Sequence, residues 1–297
     1  MAKILFVINP ISGDIDKEEM IEDLKAFCRQ HDVAAEVFKT TGEQDEEKLK
    51  AKIGEVTPEI VCAVGGDGTV SLVAKSIIKT EVALAIIPQG SGNGLSKDLG
   101  IPQNFDEALQ LLVEHKIVAI DTLDINGLLS IHLCDLGFNA LVVNRFCNGE
   151  TRGPGAYAWI AMQEFMGYEP KKYTILNDGN TIFEGEAFMI TITNARAFGS
   201  NAAINPTGVI NDGNFEICVL EPFPKASSLG ILYRLYTDTI DDSVYTHRFS
   251  CSSATILNPS GEVSQIDGEP EELGERIEFK AMHQSLRVVL PKTEAQE

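Results

Sequence analysis

The sequence predicts an α/β domain followed by an antiparallel β domain, and three observations carry that prediction. Over the first 121 residues, short apolar runs alternate with stretches of helical periodicity. After Asp121 the texture changes to β-rich runs separated by Asn-Gly and Asp-Gly turns. No apolar stretch reaches the roughly 20 residues needed to cross a bilayer, so both halves read as globular.

In the first half, residues 3–8 form a buried strand that stops at Asn9-Pro10. Met20, Ile21, Leu24, Phe27 and Cys28 then recur at helical spacing. A strand over 33–38 precedes a charged helix over 43–53, whose acidic start, Glu43-Gln44-Asp45-Glu46-Glu47, reads as a solvated face. A strand over 59–64, a helix over 70–79 and a strand over 82–87 follow. A helix over 105–113 and a short strand over 118–120 close this half. Repeated βα units imply a parallel sheet with right-handed crossovers.

In the second half, turns fall at Asn126-Gly127, Asn177-Asp178-Gly179 and Asn211-Asp212-Gly213, and β-rich runs at 187–193 and 215–220. Two helical stretches, 154–166 and 225–239, interrupt the strands. The domains are placed at 1–121 and 122–297, sharing a tight cleft, with the last segment, about 285–297, free to return to the first.

The 297 residues carry a formal net charge of −20, which repels nucleic acid and makes it an improbable partner. Six scattered cysteines without a CxxC pair read as reduced core thiols, and five scattered histidines argue against a zinc site. The start Met-Ala-Lys runs straight into a strand and shows no secretory signal, which points to a cytoplasmic protein.

Chemistry is expected at three polar glycine loops, 9–13, 65–69 and 90–93, each following a strand. In an open parallel sheet, ligands collect at the carboxyl ends of the strands. Glycine lets backbone N–H groups approach phosphate, helix N-termini attract it, and Ser12, Thr69 and Ser91 add hydroxyls. The pattern GxxxxGKS/T is absent, and Gly90-Ser91-Gly92-Asn93-Gly94-Leu95 fails GxGxxG at its last position. Asp67, a carboxylate amid phosphate-binding glycines, would repel phosphate unless it holds Mg²⁺ or accepts a proton.

Together, Gly65-Gly66-Asp67-Gly68-Thr69, the upstream Asn9-Pro10-Ile11-Ser12-Gly13, the downstream Pro88-Gln89-Gly90-Ser91-Gly92-Asn93 and the late Asp267-Gly268-Glu269 resemble the diacylglycerol kinase catalytic-domain family. That family includes bacterial lipid kinases and the sphingosine and ceramide kinases. The resemblance spans nearly the whole chain. It implies a Rossmann-like, NAD kinase-like α/β domain, a C-terminal antiparallel β-sandwich domain, an active site between them, and ATP as phosphoryl donor. By position, Asn9, Pro10, Ser12, Gly13, Thr40, Gly65, Gly66, Gly68, Thr69, Gly90, Ser91, Gly92 and Asn93 would serve the nucleotide, with contacts reaching Leu72. Glu269 matches the proton acceptor of bacterial members, and Asp67 the base credited in sphingosine kinases. The loop 209–214 resembles a structural Mg²⁺ site, with the Asp212 carboxylate and the Val209 and Asn214 carbonyls as ligands.

Two departures stand out. Ser71-Leu72 replaces the Asn-Glu that usually follows the glycine motif. The acidic residues that sphingosine kinases carry after a Gly-Phe pair are absent from Gly137-Phe138-Asn139-Ala140-Leu141-Val142-Val143. The apolar run 156–166 is read first as core, with an acyl pocket or bilayer contact as the alternative; Lys171-Lys172 is either headgroup-facing or plain surface. The resulting expectation is an ATP- and Mg²⁺-dependent lipid kinase acting on a membrane-derived lipid, in transient peripheral contact with the inner membrane face, with a homodimer left open. Its rivals are a soluble-substrate kinase of the NAD kinase type and a non-catalytic nucleotide or lipid sensor.

Overall fold

The structure is a computed structural model that describes residues 3–10, 17–149, 153–196 and 202–292. The chain divides into two compact units, residues 1–120 with 284–297, and residues 121–283.

The first unit begins β1 (Lys3–Ile8), α1 (Lys17–Gln30), β2 (Ala34–Lys39), α2 (Asp45–Val56), β3 (Ile60–Gly65), α3 (Asp67–Ile77) and β4 (Ala83–Pro88). Two short helices follow, α4 (Gly94–Asp98) and α5 (Phe105–Gln110). The strands are parallel in the order β2-β1-β3-β4. Strands β3 and β4 are buried at every residue, the pattern of a parallel sheet covered on both faces. Helix α1 turns Met20, Ile21, Leu24 and Cys28 to the core, and α3 buries Val70, Val73, Ala74 and Ile77. The carboxyl ends of the strands lie side by side, with Ile8 opposite Lys39 and Val64, and Gly65 opposite Pro88. Loops after β1, β3 and β4 therefore share one edge. Helix α3 starts three residues before its expected position, directly at Asp67. Helix α5 ends at Gln110 rather than 113, and the next strand, β5 (His115–Ile125), is much longer than the expected 118–120.

Strand β5 leads into the second unit, which continues β6 (Leu128–Ser130), β7 (Leu133–Gly137), α6 (Phe138–Asn148), α7 (Pro154–Gly167), β8 (Lys171–Asn177), β9 (Asn180–Ala187), β10 (Met189–Thr193) and β11 (Phe215–Leu220). After these come α8 (Ser228–Tyr236), β12 (Thr246–Cys251), β13 (Ser253–Leu257), β14 (Ser264–Ile266), β15 (Glu269–Glu271) and β16 (Arg276–Pro291). One antiparallel sheet runs β12-β11-β10-β7-β14-β15. Strands β9, β8, β13 and the first part of β16 pair antiparallel in a second layer. Tyr173, Ile175, Ile277 and Phe279 of that layer share a core with Leu136, Ile190, Ile192, Phe215 and Ile217 of the first. The other face of the first sheet packs Met189, Cys218 and Leu220 against Ile231 of α8, with Phe138 and Phe165 beside them. From Gln284 onward β16 belongs to the first unit, where Arg287 and Val288 pair parallel with Ala83 and Leu84 of β4.

Three expectations change here. Helix α6 joins the two expected helical stretches; the β-branched pair Val142-Val143 masks it, and burial of Ala140, Val142 and Val143 stabilises it. The run 156–166 is helical, but only part of it is core: Phe165 packs against the cluster that includes Met189 and Ile231, whereas Trp159, Met162 and Met166 are 57%, 55% and 65% exposed. Five cysteines are buried free thiols, whereas Cys147 is exposed.

Candidate active site

In the first unit the site is built from backbone. Gly66 precedes α3 in extended conformation, without a side-chain cap. Thr69 N and Val70 N donate to Gly66 O at 3.0 and 3.2 Å. The Asp67 and Gly68 amides, ahead of the first helical acceptor, form the anion-attracting end of the helix. The second loop folds onto this end. A Cβ on Gly90 would lie 2.5 Å from Gly66 Cα, and one on Gly92 would lie 2.8 Å from Asp67 Oδ2. Only glycine fits at position 90, where the neighbour is backbone, whereas a Cβ at 92 would push the Asp67 carboxylate aside. Asn93, at φ 54°, closes its loop by accepting from Gly90 N and donating to Gly90 O, both at 2.9 Å. Gln89 N donates to Gly65 O at 2.9 Å, and Thr40 N to Ile8 O at 3.0 Å. Thus Thr40, Gly65, Gly66, Asp67, Gly68, Thr69, Gly90, Ser91, Gly92 and Asn93 gather on the sheet edge at which Asn9 and Pro10 follow β1. Ser12 and Gly13 lie outside the described residues. Leu72 is half-buried on α3.

In the second unit the late motif is a two-residue hairpin between β14 and β15, where Ile266 faces Glu269. Asp267 and Gly268 have φ of 51° and 91°, the pattern of a type I′ turn. The Asp267 carboxylate accepts from Ser130 Oγ at 2.8 Å and from the amides of Ile131, His132 and Leu133 at 2.9, 3.0 and 3.1 Å. It is a clasp rather than a reagent. Glu269 is exposed, with neither an ion pair nor a hydrogen bond among the described residues.

Asp212 is exposed, and its Oδ1 accepts from Asn214 N at 2.9 Å. The loop is pinned by a residue that sequence reasoning missed: buried Asp121 accepts from Gly213 N at 2.5 Å and meets His283 Nδ1 at 2.9 Å. Asn194 Nδ2 donates to both Asp121 O and Ile210 O at 3.0 Å. No cluster of three His, Cys, Asp or Glu side chains converges among the described residues. One carboxylate with the Val209 and Asn214 carbonyls is nonetheless a hard oxygen set, which fits Mg²⁺ that keeps most of its waters.

A second missed group is Asp135 on β7, wholly buried. It accepts from Thr191 Oγ1, Asn139 Nδ2 and Gln265 Nε2, each at 2.5 Å. Tyr157 OH donates to Asn139 Oδ1 at 2.6 Å. Burial pushes the Asp135 carboxyl above the usual carboxylate range, against the three hydrogen bonds. A carboxylate therefore does sit beside Asn139, supplied by the preceding strand. The available signal was a lone acid inside the apolar run Leu133-Cys134-Asp135-Leu136.

Solved structures share this architecture. A diacylglycerol kinase from Bacillus anthracis str. Sterne superposes with a TM-score of 0.74 at 20% identity, covering 97% of this chain and 96% of that one. An NAD kinase from Archaeoglobus fulgidus, in complex with ATP, reaches 0.53 at 14% identity over 98% and 94%. These likenesses establish the two-unit fold that those kinases share. The diacylglycerol kinase catalytic-domain model matches residues 3–125, and the model of the YegS C-terminal NAD kinase beta sandwich-like domain matches residues 134–289, more than half the chain. The chain belongs to this diacylglycerol kinase catalytic-domain family, among members with the YegS-type C-terminal domain, and is a kinase. The "Probable lipid kinase YegS-like" of Enterobacter sp. (strain 638) is 24% identical over 290 residues, covering 95% of this chain and 94% of its own. The "Uncharacterized protein sll0036" of Synechocystis sp. is 26% identical over 96% of this chain and 69% of its own.

Proposed function

We propose that this protein transfers the γ-phosphoryl group of ATP to the hydroxyl of a membrane-derived lipid, a diacylglycerol or sphingoid-type alcohol. One observation supports the reading above others: Glu269, in a family motif, is an exposed carboxylate without a side-chain partner among the described residues, held on a hairpin that Asp267 clasps. A general base needs such a free carboxylate. The α3 N-terminus and the glycine loops bind the phosphates, and Glu269 takes the acceptor proton, with Asp67 as the second candidate. Phosphoryl transfer depends mostly on positioning and charge stabilisation, which backbone amides and Mg²⁺ supply. Asp67 would hold the nucleotide's Mg²⁺, and Asp212, Val209 and Asn214 a structural one.

The exposed Trp159, Met162 and Met166 recur on one side of α7, and Leu229, Leu232, Tyr233 and Tyr236 on α8. Both stripes suit brief contact with a bilayer from which substrate is drawn. No helix among the described residues is long and apolar enough to span one. With a charge of −20, such contact would be local.

The test is γ-labelled ATP with a total lipid extract, presented both as vesicles and dispersed in detergent, with NAD in a parallel arm. A labelled lipid is expected, formed faster on vesicles. Label on NAD alone would install the soluble-substrate reading, and ATP binding without turnover the sensor reading.

A further inference from the structure

The hairpin that carries Glu269 is held from a second side, by groups the proposed reaction does not use. Thr191 and Gln265 are the direct cross-strand neighbours of Asp135. Asp135 Oδ2 receives the Gln265 Nε2 donor, and Gln265 Oε1 in turn accepts from Gly268 N at 2.7 Å. Gln265 and Asp135 are both buried, so water does not replace the bond between them. The two ends of its amide are not interchangeable. Reversal would set a carbonyl oxygen against the Asp135 carboxylate and an NH₂ group against the Gly268 N–H. Three donors converge on Asp135, and an ionised carboxylate, which is acceptor-only, satisfies them all. Gly268, at φ 91°, is the hinge of the turn, and the hydrogen bond it receives from α6 is weak: Cys147 Sγ lies 3.6 Å from Gly268 O.

We propose that Asp135 is the positioning residue for Glu269, acting through Gln265: the buried carboxylate orients the amide, the amide fixes the Gly268 N–H, and the turn so held sets the Glu269 carboxylate. The inference rests on the kinase reading of Glu269. Asp267 anchors the turn to 130–133, while the Asp135–Gln265 pair sets its twist. Carboxylate placement is worth this much structure because an error of about 1 Å in a reacting group costs about 10²-fold in rate.

The test uses the intact chain and two readouts, amide exchange of Gly268 by NMR and steady-state kinetics. In the wild type, Gly268 N–H is expected to exchange at least ~10²-fold more slowly than an open turn amide. Asp135→Asn and Gln265→Leu should each accelerate that exchange by about tenfold or more. Both should lower kcat by about 10²-fold with the KM for ATP within about twofold. Thr191→Val removes a different bond to the same carboxylate and should leave both readouts within about threefold. In a Glu269→Gln background, adding Asp135→Asn should cost nothing further in kcat. An equal loss in both backgrounds would make Asp135 a structural residue only and overturn the proposal. Rapid Gly268 exchange in the wild type would overturn it directly. If Asp135→Asn does not fold, Gly268 exchange in Gln265→Leu decides. Absent lipid turnover with Gly268 protected refutes the lipid-kinase reading of Glu269, whereas turnover with Gly268 unprotected refutes the relay.

Discussion

Between Gly65 and Asn93 the first unit shapes its loops by leaving side chains out; between Ser130 and Glu269 the second shapes its turn by tying side chains in. The glycine loops meet where Gly66 and Gly90 have no Cβ, and the residues involved lie within 30 of one another. The Glu269 hairpin depends on carboxylates whose partners lie more than 100 residues away. A backbone site of the first kind recognises phosphate through shape and N–H direction. A clasped turn of the second kind presents one charged side chain at a set angle. On the proposed reading, phosphoryl transfer draws on both, the first unit for the phosphates and the second for the base.

The sharpest break in this comparison is Glu269→Gln. It should lower kcat by roughly 10²- to 10⁴-fold with an unchanged melting temperature, measured by lipid phosphorylation and thermal unfolding. Asp67→Asn is its counterpart on the glycine side, and full activity in either variant removes that residue from the mechanism. Next comes Asp267→Ala, which leaves the amides of 131–133 without their acceptor. It should cost on the order of 3 kcal/mol, and so lower the apparent Tm by roughly 6–12 °C for a unit of this size. An unchanged Tm would show that the clasp holds nothing. Gly90→Ala should raise the KM for ATP about tenfold, because the new Cβ displaces one loop from the other. Gly54→Ala, in open space on α2, should leave KM unaltered and is the control.

The smallest effect concerns Asp135 and pH. Its carboxyl is raised by burial in the folded state, so the native protein holds the proton to higher pH than the unfolded chain. Its contribution to stability is therefore fully present below the usual carboxylate range and lost as pH rises through the folded value. The Tm gap between wild type and Asp135→Asn should narrow from about pH 4 to pH 7.5. A gap that widens over that range would show the carboxylate to be favoured by its surroundings.

The same contrast explains what could be read from the sequence. The βα alternation and the glycine loops are local, so spacing and residue type reveal them. Glu269 is visible through its motif. Asp267 is visible only as part of that motif, since its clasp on 130–133 joins strands remote in sequence. Asp135 shows locally only as a lone acid in an apolar run, and Gln265 carries no local pattern; a strand register brings the two together, and registers are not written in any short window. Helix α6 was hidden by Val142-Val143, where tertiary packing overrides propensity. The exposure of Trp159 and Met162 was misjudged because an apolar stripe has the same spacing whether it meets a core or solvent.

Strand β16 has a further consequence for how the molecule is made. The ribosome delivers 1–120 first, but the strand that pairs with β4 arrives only after all of 121–283 has been synthesised. Until Arg287 and Val288 emerge, β4 offers an open apolar edge, which is a template for aggregation. A chain terminated at 283 would keep every glycine of the phosphate edge and every hydrogen bond of the Glu269 hairpin. It would nonetheless leave the first sheet unfinished, and chaperone dependence rather than lost chemistry would be its phenotype.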